Sequence, residues 1–96
     1  LLRNESFMKI WIASNADGTE KRYIFYCPAC RSHHGLPETR WHFNGNFSSP
    51  TFHPSFIIRE ANEVYCHGIV EDGKIKYLND SKHEFAGKIV DMDDED

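Results

Sequence analysis

The chain has 96 residues, of which 40% are hydrophobic, 14% aromatic and 27% charged, a balance typical of one small globular domain. Its formal charge of -4 lacks the positive surface that phosphate backbones require, which argues against a nucleic-acid partner. No apolar run approaches the ~20 residues that span a bilayer, and no signal-peptide pattern is present, so we expect no membrane partner and a cytoplasmic protein.

The first strand signal begins only at Met8. Residues 1–7 are therefore expected to be an upstream extension, an expression remnant or a fused peptide. Residues 8–96 contain Cys27-x-x-Cys30, a spacing typical of zinc sites, and are expected to form a single zinc-stapled β domain, because a domain this small gains from an added cross-link.

Strand and turn signals alternate through the first half of the chain. Residues 9–13 and 23–26 are predicted to form a hairpin through the turn at residues 15–18. The second strand runs directly into Cys27-Pro-Ala-Cys30. Residues 41–43 lead into an Asn-Gly turn, and residues 51–58 form an apolar run that Pro54 interrupts.

The second half contains the strongest hairpin signal. Residues 65–70 and 74–78 flank Asp72-Gly73, a pair suited to a tight turn. The Ser-x-x-Glu pattern at residues 81–84 resembles a capping box, and residues 88–92 are predicted to form a closing strand before an acidic tail. The pattern predicts a mainly β fold, a small single domain of antiparallel hairpins around a zinc knuckle with at most one short helix.

Cysteine spacing points to a metal. Three cysteines cannot all pair with one another, and Cys27-x-x-Cys30 on a turn after a strand supplies half of a tetrahedral zinc site. His34 and Cys66 are predicted to complete it. Spacing leaves three other histidines open as the nitrogen ligand: His33, His67 and His83. A redox Cys-x-x-Cys is less favoured because no helix pattern follows it to lower the thiol pKa.

A second polar group is expected around Cys66 and its neighbour. Side chains alternate along a strand, so if Cys66 binds zinc, His67 faces the other side. Ser55 lies in a rigid Pro-rich segment and is a poor nucleophile without a base, which His67 or His83 would supply with Asp80 as its orienter. A structural role for each of these residues stays open.

These motifs together resemble a family common in phages and bacteria, long of unknown function and often misnamed an ammonia monooxygenase. The resemblance covers most of the chain and is carried by the following segments: Cys27-Pro-Ala-Cys30 with His34, Trp41 with Asn44-Gly45, residues 50–55, Cys66-His67, residues 73–78, residues 80–83 and Ala86-Gly87. Two positions depart from the family pattern, Gly68 in place of a serine and Phe85 in place of a leucine.

The family includes the peptidase of bacterial ubiquitin-like (Bub) conjugation operons. The resemblance implies cleavage after the C-terminal tail of a ubiquitin-like protein, with that protein as substrate partner, E1-like and E2-like operon proteins as further candidate partners, and a phage-related or antiphage-defence setting. It implies a serine-type mechanism with structural zinc, in which Ser55 is the nucleophile, His67 or His83 the base and Asp80 the orienter. Asn44 and Thr51 are expected to bind substrate backbone or steady the site, with Trp41 packed beside it.

Three alternatives stay open at the level of sequence. Zinc itself is the catalyst in the first, with an open fourth position and a polarised water. Cys66 is the nucleophile beside His83 in the second. In the third, the chain is a non-catalytic zinc-stapled module that binds a partner through its aromatic surface.

Overall fold

The structure, a computed structural model, describes residues 8–94; the predicted extension at residues 1–7 lies outside the described residues. Within residues 8–94 there are nine strands and no helix: β1 Trp11–Ser14, β2 Lys21–Cys27, β3 Ser32–Pro37, β4 His42–Phe43, β5 Phe52–His53, β6 Phe56–Glu60, β7 Glu63–Glu71, β8 Lys74–Tyr77 and β9 Ile89–Asp91. The predicted mainly β fold is confirmed. No segment of the described chain forms a helix with the length and hydropathy needed to cross a bilayer.

The strands form three antiparallel sheets. The orders are β1-β2-β3, β4-β5 and β6-β7-β8-β9. Every neighbouring pair is consecutive in sequence, so the fold is a chain of hairpins and meanders, as expected of a protein with many turn signals.

The hairpin predicted at Asp72-Gly73 is present between β7 and β8. Glu71 pairs with Lys74, and Asp72 and Gly73 have φ of 51° and 77°. Positive φ at both central positions matches the twist of the flanking strands. The turn between β6 and β7 uses the same device at residues 61 and 62, with φ of 51° and 66°, although Ala-Asn is a weaker turn signal.

Three parts of the fold differ from the pattern read in the sequence. The apolar run at residues 51–58 is divided, and Pro54 and Ser55 lie between β5 and β6. Ser32–Pro37 forms β3, which was not predicted, because its pairing with β2 rather than its own composition makes it a strand. The capping-box pattern at residues 81–84 starts no helix; residues 84–87 form a turn that ends with Gly87 N donating to Tyr77 O at 3.0 Å.

Aromatic packing joins the two larger sheets. Phe25 of β2 and Phe56 of β6 are both buried, and their rings meet edge to face with centroids 5.2 Å apart. Burial of each such ring stabilises the fold by about 1.5–3 kcal/mol. Cys27 at the end of β2 and Cys66 in β7 are fully buried at the same junction, so the predicted knuckle lies between the two sheets.

Candidate functional site

Three polar side chains from separate parts of the chain form one hydrogen-bonded line. Ser55 Oγ lies 3.0 Å from His67 Nε2. His67 Nδ1 lies 3.0 Å from Asp80 Oδ2 and 3.1 Å from Oδ1. A hydroxyl, an imidazole and a carboxylate in this order are the arrangement by which proteins activate a serine. We call Ser55, His67 and Asp80 the polar trio.

Ser55 is held between an anchored proline and a buried ring. The indole Nε1 of Trp41 donates a hydrogen bond to Pro54 O at 2.9 Å, and Phe56, directly after Ser55, is buried in the core. The pairing of Ile57 with His67 then sets β6 against β7. Ser55 is therefore fixed on both sides, and its hydroxyl faces the imidazole.

His67 occupies the face of β7 opposite Cys66, as strand alternation predicts. Cys66 is fully buried, whereas the side chain of His67 is 19% exposed. Ser81 fixes the histidine backbone, since its hydroxyl accepts a hydrogen bond from His67 N at 2.9 Å and donates one to His67 O at 3.1 Å. The sequence did not predict these hydrogen bonds of Ser81, because the Ser-x-x-Glu pattern at residues 81–84 indicated a helix cap instead.

Asp80 is brought to His67 by the segment that follows β8. Leu78 N donates to His67 O at 2.8 Å and Lys82 N to Tyr65 O at 2.8 Å, so the segment runs beside β7. Asp80 lies between these two bonds, and its carboxylate accepts a hydrogen bond from His67 Nδ1. Half of the Asp80 side chain is exposed, at 54%, so the carboxylate keeps contact with water.

The hydrogen-bond network assigns the histidine tautomer. A carboxylate is acceptor-only, so Nδ1 of His67 carries the proton that bonds to Asp80. Nε2 is then an acceptor in the neutral ring and takes the hydrogen bond from the Ser55 hydroxyl. This geometry permits proton transfer from the Ser55 hydroxyl to His67 Nε2.

His83, the other predicted base, lies in an aromatic cluster. Its ring contacts Tyr77 at a centroid distance of 4.9 Å and Tyr65 at 5.5 Å, and its Nδ1 accepts a hydrogen bond from Phe85 N at 3.2 Å. The imidazole that the structure brings to Ser55 is that of His67. His33, one of the three histidines left open as alternatives to His34, contacts the ring of Tyr26.

The three predicted substrate-binding residues occupy different surroundings. Trp41 lies next to Ser55 through its bond to Pro54. The Asn44 side chain accepts from Asn46 N at 3.1 Å and donates to Ser49 O at 3.2 Å, while Thr51 Oγ1 accepts from Asp72 N at 2.9 Å. Asn44 and Thr51 therefore steady loops, and Trp41 is the one of the three beside the polar trio.

A second cluster lies on the face of β7 opposite His67. The ligand atoms of Cys27, Cys30, His34 and Cys66 all lie within 4.8 Å of one another. These are the four residues predicted to bind metal. Cys27 and Cys30 come from the turn after β2, His34 from β3 and Cys66 from β7, so the cluster joins the three-stranded and four-stranded sheets.

The geometry of this cluster fits a tetrahedral ion. Zinc–sulfur bonds of about 2.3 Å place two ligand sulfurs about 3.8 Å apart, and Cys27 Sγ lies 3.9 Å from Cys66 Sγ. Nε2 of His34 is buried and has no hydrogen-bond partner in the described part of the chain, so this nitrogen can serve as a ligand to an ion. The four residues are thus positioned to bind a metal ion, and a thiolate-rich set of this kind suits zinc.

Without an ion the three thiols compete for protons. A hydrogen bond from the Cys66 thiol lowers the pKa of Cys27, and the same contact, together with burial, raises the pKa of Cys66. Burial, followed by the charge of Cys27, raises the pKa of Cys30. The Tyr77 hydroxyl lies 3.1 Å from Cys27 Sγ and is placed to donate to that sulfur, as outer partners of metal thiolates do.

The comparisons with known proteins identify one family. No curated protein and no solved structure matches the chain. A family model described as the bacterial ubiquitination-like system serine protease (BubE) matches residues 3–78, a span that contains Ser55, His67 and all four residues of the metal cluster and ends two residues before Asp80. The chain therefore belongs to the BubE family of serine proteases of bacterial ubiquitination-like systems.

Proposed function

We propose that the protein is a serine-type peptidase that cleaves after the C-terminal tail of a ubiquitin-like protein, for maturation of a precursor, for deconjugation or for both. The observation that carries this proposal is the continuous hydrogen-bond line from Ser55 through His67 to Asp80. The family supports the same chemistry, because its description names a serine protease.

The acylation step follows from the geometry of the trio. Ser55 Oγ attacks the carbonyl carbon of the residue before the scissile bond while its proton moves to His67 Nε2. Asp80 stabilises the imidazolium through Nδ1. The protonated His67 then gives that proton to the leaving amine, the C–N bond breaks, and the tail remains attached to Ser55 as an ester.

Deacylation uses the same groups in reverse. His67 takes a proton from a water molecule, the resulting hydroxide attacks the ester carbonyl, and the proton returns to Ser55 Oγ as the ester bond breaks. The products are the tail with a free carboxylate and the restored hydroxyl. No group outside the trio is needed to balance these steps.

The proposed role of zinc is structural. Cys27, Cys30, His34 and Cys66 would supply four protein ligands, which fill a tetrahedral ion and leave no position for water. A bound ion would hold the two larger sheets together at this junction. The same arrangement disfavours Cys66 as a nucleophile, since its thiolate would be a ligand and its side chain is fully buried.

The test is cleavage of a ubiquitin-like precursor with a short C-terminal extension by the parent and by Ser55→Ala. Intact masses of the products and metal bound per chain are read together. We expect cleavage by the parent alone, with equal metal in both proteins. Equal cleavage by both would overturn the serine mechanism, and binding without cleavage by either would establish an interaction module instead.

A further inference from the structure

The strand that follows Ser55 is an edge of its sheet. β6 begins at Phe56, directly after Ser55, and pairs on one side with β7. In the described residues no strand lies on its other side. An edge strand presents unpaired N–H and C=O groups that another extended chain can bind.

The backbone hydrogen bonds of His67 show toward which neighbouring strand the N–H and C=O groups of β7 point. His67 O accepts from Leu78 N, and His67 N donates to Ser81 Oγ, so both backbone groups of His67 point toward the β8 side. Backbone groups alternate along an antiparallel strand. Those of Cys66 and Gly68 therefore point toward β6.

The register of β6 against β7 then determines which backbone N–H and C=O groups of β6 bond to β7. Phe56 pairs with Gly68 and Ile58 with Cys66, so Phe56 and Ile58 use their N–H and C=O groups in the ladder with β7. Ile57, between them, pairs with His67 without those bonds. Its N–H and C=O point to the open edge, two residues beyond Ser55.

The surface around the trio favours an extended ligand over an enclosed one. Four cavities, of 540, 480, 310 and 230 Å³, are lined by other residues, and the trio is partly exposed, with His67 at 19% and Asp80 at 54%. The Ile57 side chain is 42% exposed and lies on the same face as the imidazole of His67, since the two residues are directly paired. Backbone donor, backbone acceptor and apolar side chain are thus presented together beside the serine.

We propose that the substrate tail binds as an added strand, antiparallel to β6, through the free backbone groups of Ile57. The proposal rests on the proposed peptidase function and specifies how its substrate is held. Antiparallel pairing places the C-terminal end of the tail at Ser55, whereas parallel pairing would carry the tail away from it. At about 3.4 Å per residue, the tail residue opposite Ile57 lies two positions before the residue whose carbonyl Ser55 attacks.

The partner chemistry follows from this geometry. The tail must be extended and free of proline at the residue opposite Ile57, because that residue donates its N–H to Ile57 O and accepts from Ile57 N. An aliphatic side chain there would pack on Ile57. The neighbouring tail residues point their amides away from β6, so their N–H groups are dispensable.

The first test methylates single tail amides and leaves the protein unchanged. Synthetic peptides that span the tail and its extension are titrated against Ser55→Ala, so that binding is measured without cleavage. N-methylation at the residue opposite Ile57 should weaken binding about five- to ten-fold, the loss of about one hydrogen bond, and methylation at either neighbour should not. Equal effects at all three amides, or none, would overturn the proposal.

A second test uses the two edge strands of the same sheet. Ile89 of β9 is also an exposed isoleucine, so Ile57→Lys and Ile89→Lys place the same charge on opposite edges. We expect KM for precursor cleavage to rise several-fold in Ile57→Lys alone, with metal content unchanged in both. Equal KM values would contradict docking on β6. If the parent cleaves the precursor and both tests fail, the binding mode is wrong and the peptidase function stands; if the parent does not cleave, the function fails first.

Discussion

Two neighbouring residues of β7 belong to two different polar clusters. Cys66 is fully buried and lies with Cys27, Cys30 and His34 between the sheets. His67 faces the other way, is partly exposed and bonds to Ser55 and Asp80. One strand therefore separates the cluster of three cysteines and His34 from the polar trio.

The difference between the clusters fits the different roles proposed for them. The cluster of Cys27, Cys30, His34 and Cys66 joins β2, β3 and β7, so we expect it to contribute to stability. The polar trio connects residues that are fixed by neighbouring packing, and its histidine and aspartate are partly exposed. Substitutions on the two faces of β7 should consequently have opposite signatures, one in folding and one in turnover.

The largest effect is expected on the buried face. Cys66→Ser removes one of the four proposed ligands and should abolish stoichiometric metal binding, with a loss of stability of up to about 10 kcal/mol, the scale of structural zinc in small domains. Metal content and thermal unfolding measure it, and treatment of the parent with a strong chelator should reproduce the unfolding. A metal-free protein with the same Tm as the parent would show that the cluster does not stabilise the fold.

The neighbouring substitution tests the open face. His67→Ala removes the proposed base and should lower kcat by about 10⁶-fold, as loss of a base does in serine peptidases. Metal content should equal that of the parent because His67 is no member of the buried cluster. His83→Gln is the control, and it should keep turnover near the parent level; the opposite pattern would make His83 the base.

The metal cluster could be predicted from the sequence more fully than the polar trio. The Cys27-x-x-Cys30 spacing and the alternation at Cys66 and His67 follow from local geometry, as does the Asp72-Gly73 turn, and the described fold contains all of them. Which histidine meets Ser55 depends on the register of β6 against β7, a non-local pairing that spacing does not encode. Two histidines therefore stayed open in the sequence.

Ser81 and β3 also depend on non-local contacts that the local sequence does not reveal. The Ser81 hydroxyl has two local options, a helix cap or the backbone of a distant strand, and only packing of the 78–82 segment on β7 decides between them. Ser32–Pro37 is extended because β2 offers it a ladder. In both cases tertiary contacts override a local pattern.

Gly68, where the resembled family has serine, provides a smaller test. A Cβ built there would lie 2.7 Å from Cε2 and Cζ of Phe56 and 3.2 Å from Cγ2 of Ile75. Phe56 is buried against Phe25, so its ring has little room to move. Gly68→Ser should cost about 1–3 kcal/mol of stability, the range for an overpacked core, measured by denaturant unfolding.

The matched control for Gly68→Ser shortens the opposing ring. Phe56→Leu should be destabilising alone, and the double variant Gly68→Ser, Phe56→Leu should be more stable than the sum of the two single effects predicts. Additive effects would mean that the serine does not meet Phe56.

The smallest effect is expected at Ser81. Ser81→Ala leaves His67 N without its acceptor and loosens the segment that carries Asp80, which should cost about 1–2 kcal/mol and lower kcat about ten-fold with KM unchanged. Ser81→Thr keeps the hydroxyl and should recover most of the turnover. Loss of stability with parent kcat would confine Ser81 to a structural role.

The most direct test of the central claim is to trap the attacking atom. A ubiquitin-like protein whose C-terminal carboxylate is replaced by an electrophilic phosphonate is incubated with the metal-bound protein, and the modified residue is located by peptide mass mapping. The account predicts one adduct on Ser55, absent from Ser55→Ala and greatly slowed in His67→Ala. An adduct on Cys66, or precursor cleavage that continues in Ser55→Ala, would contradict it.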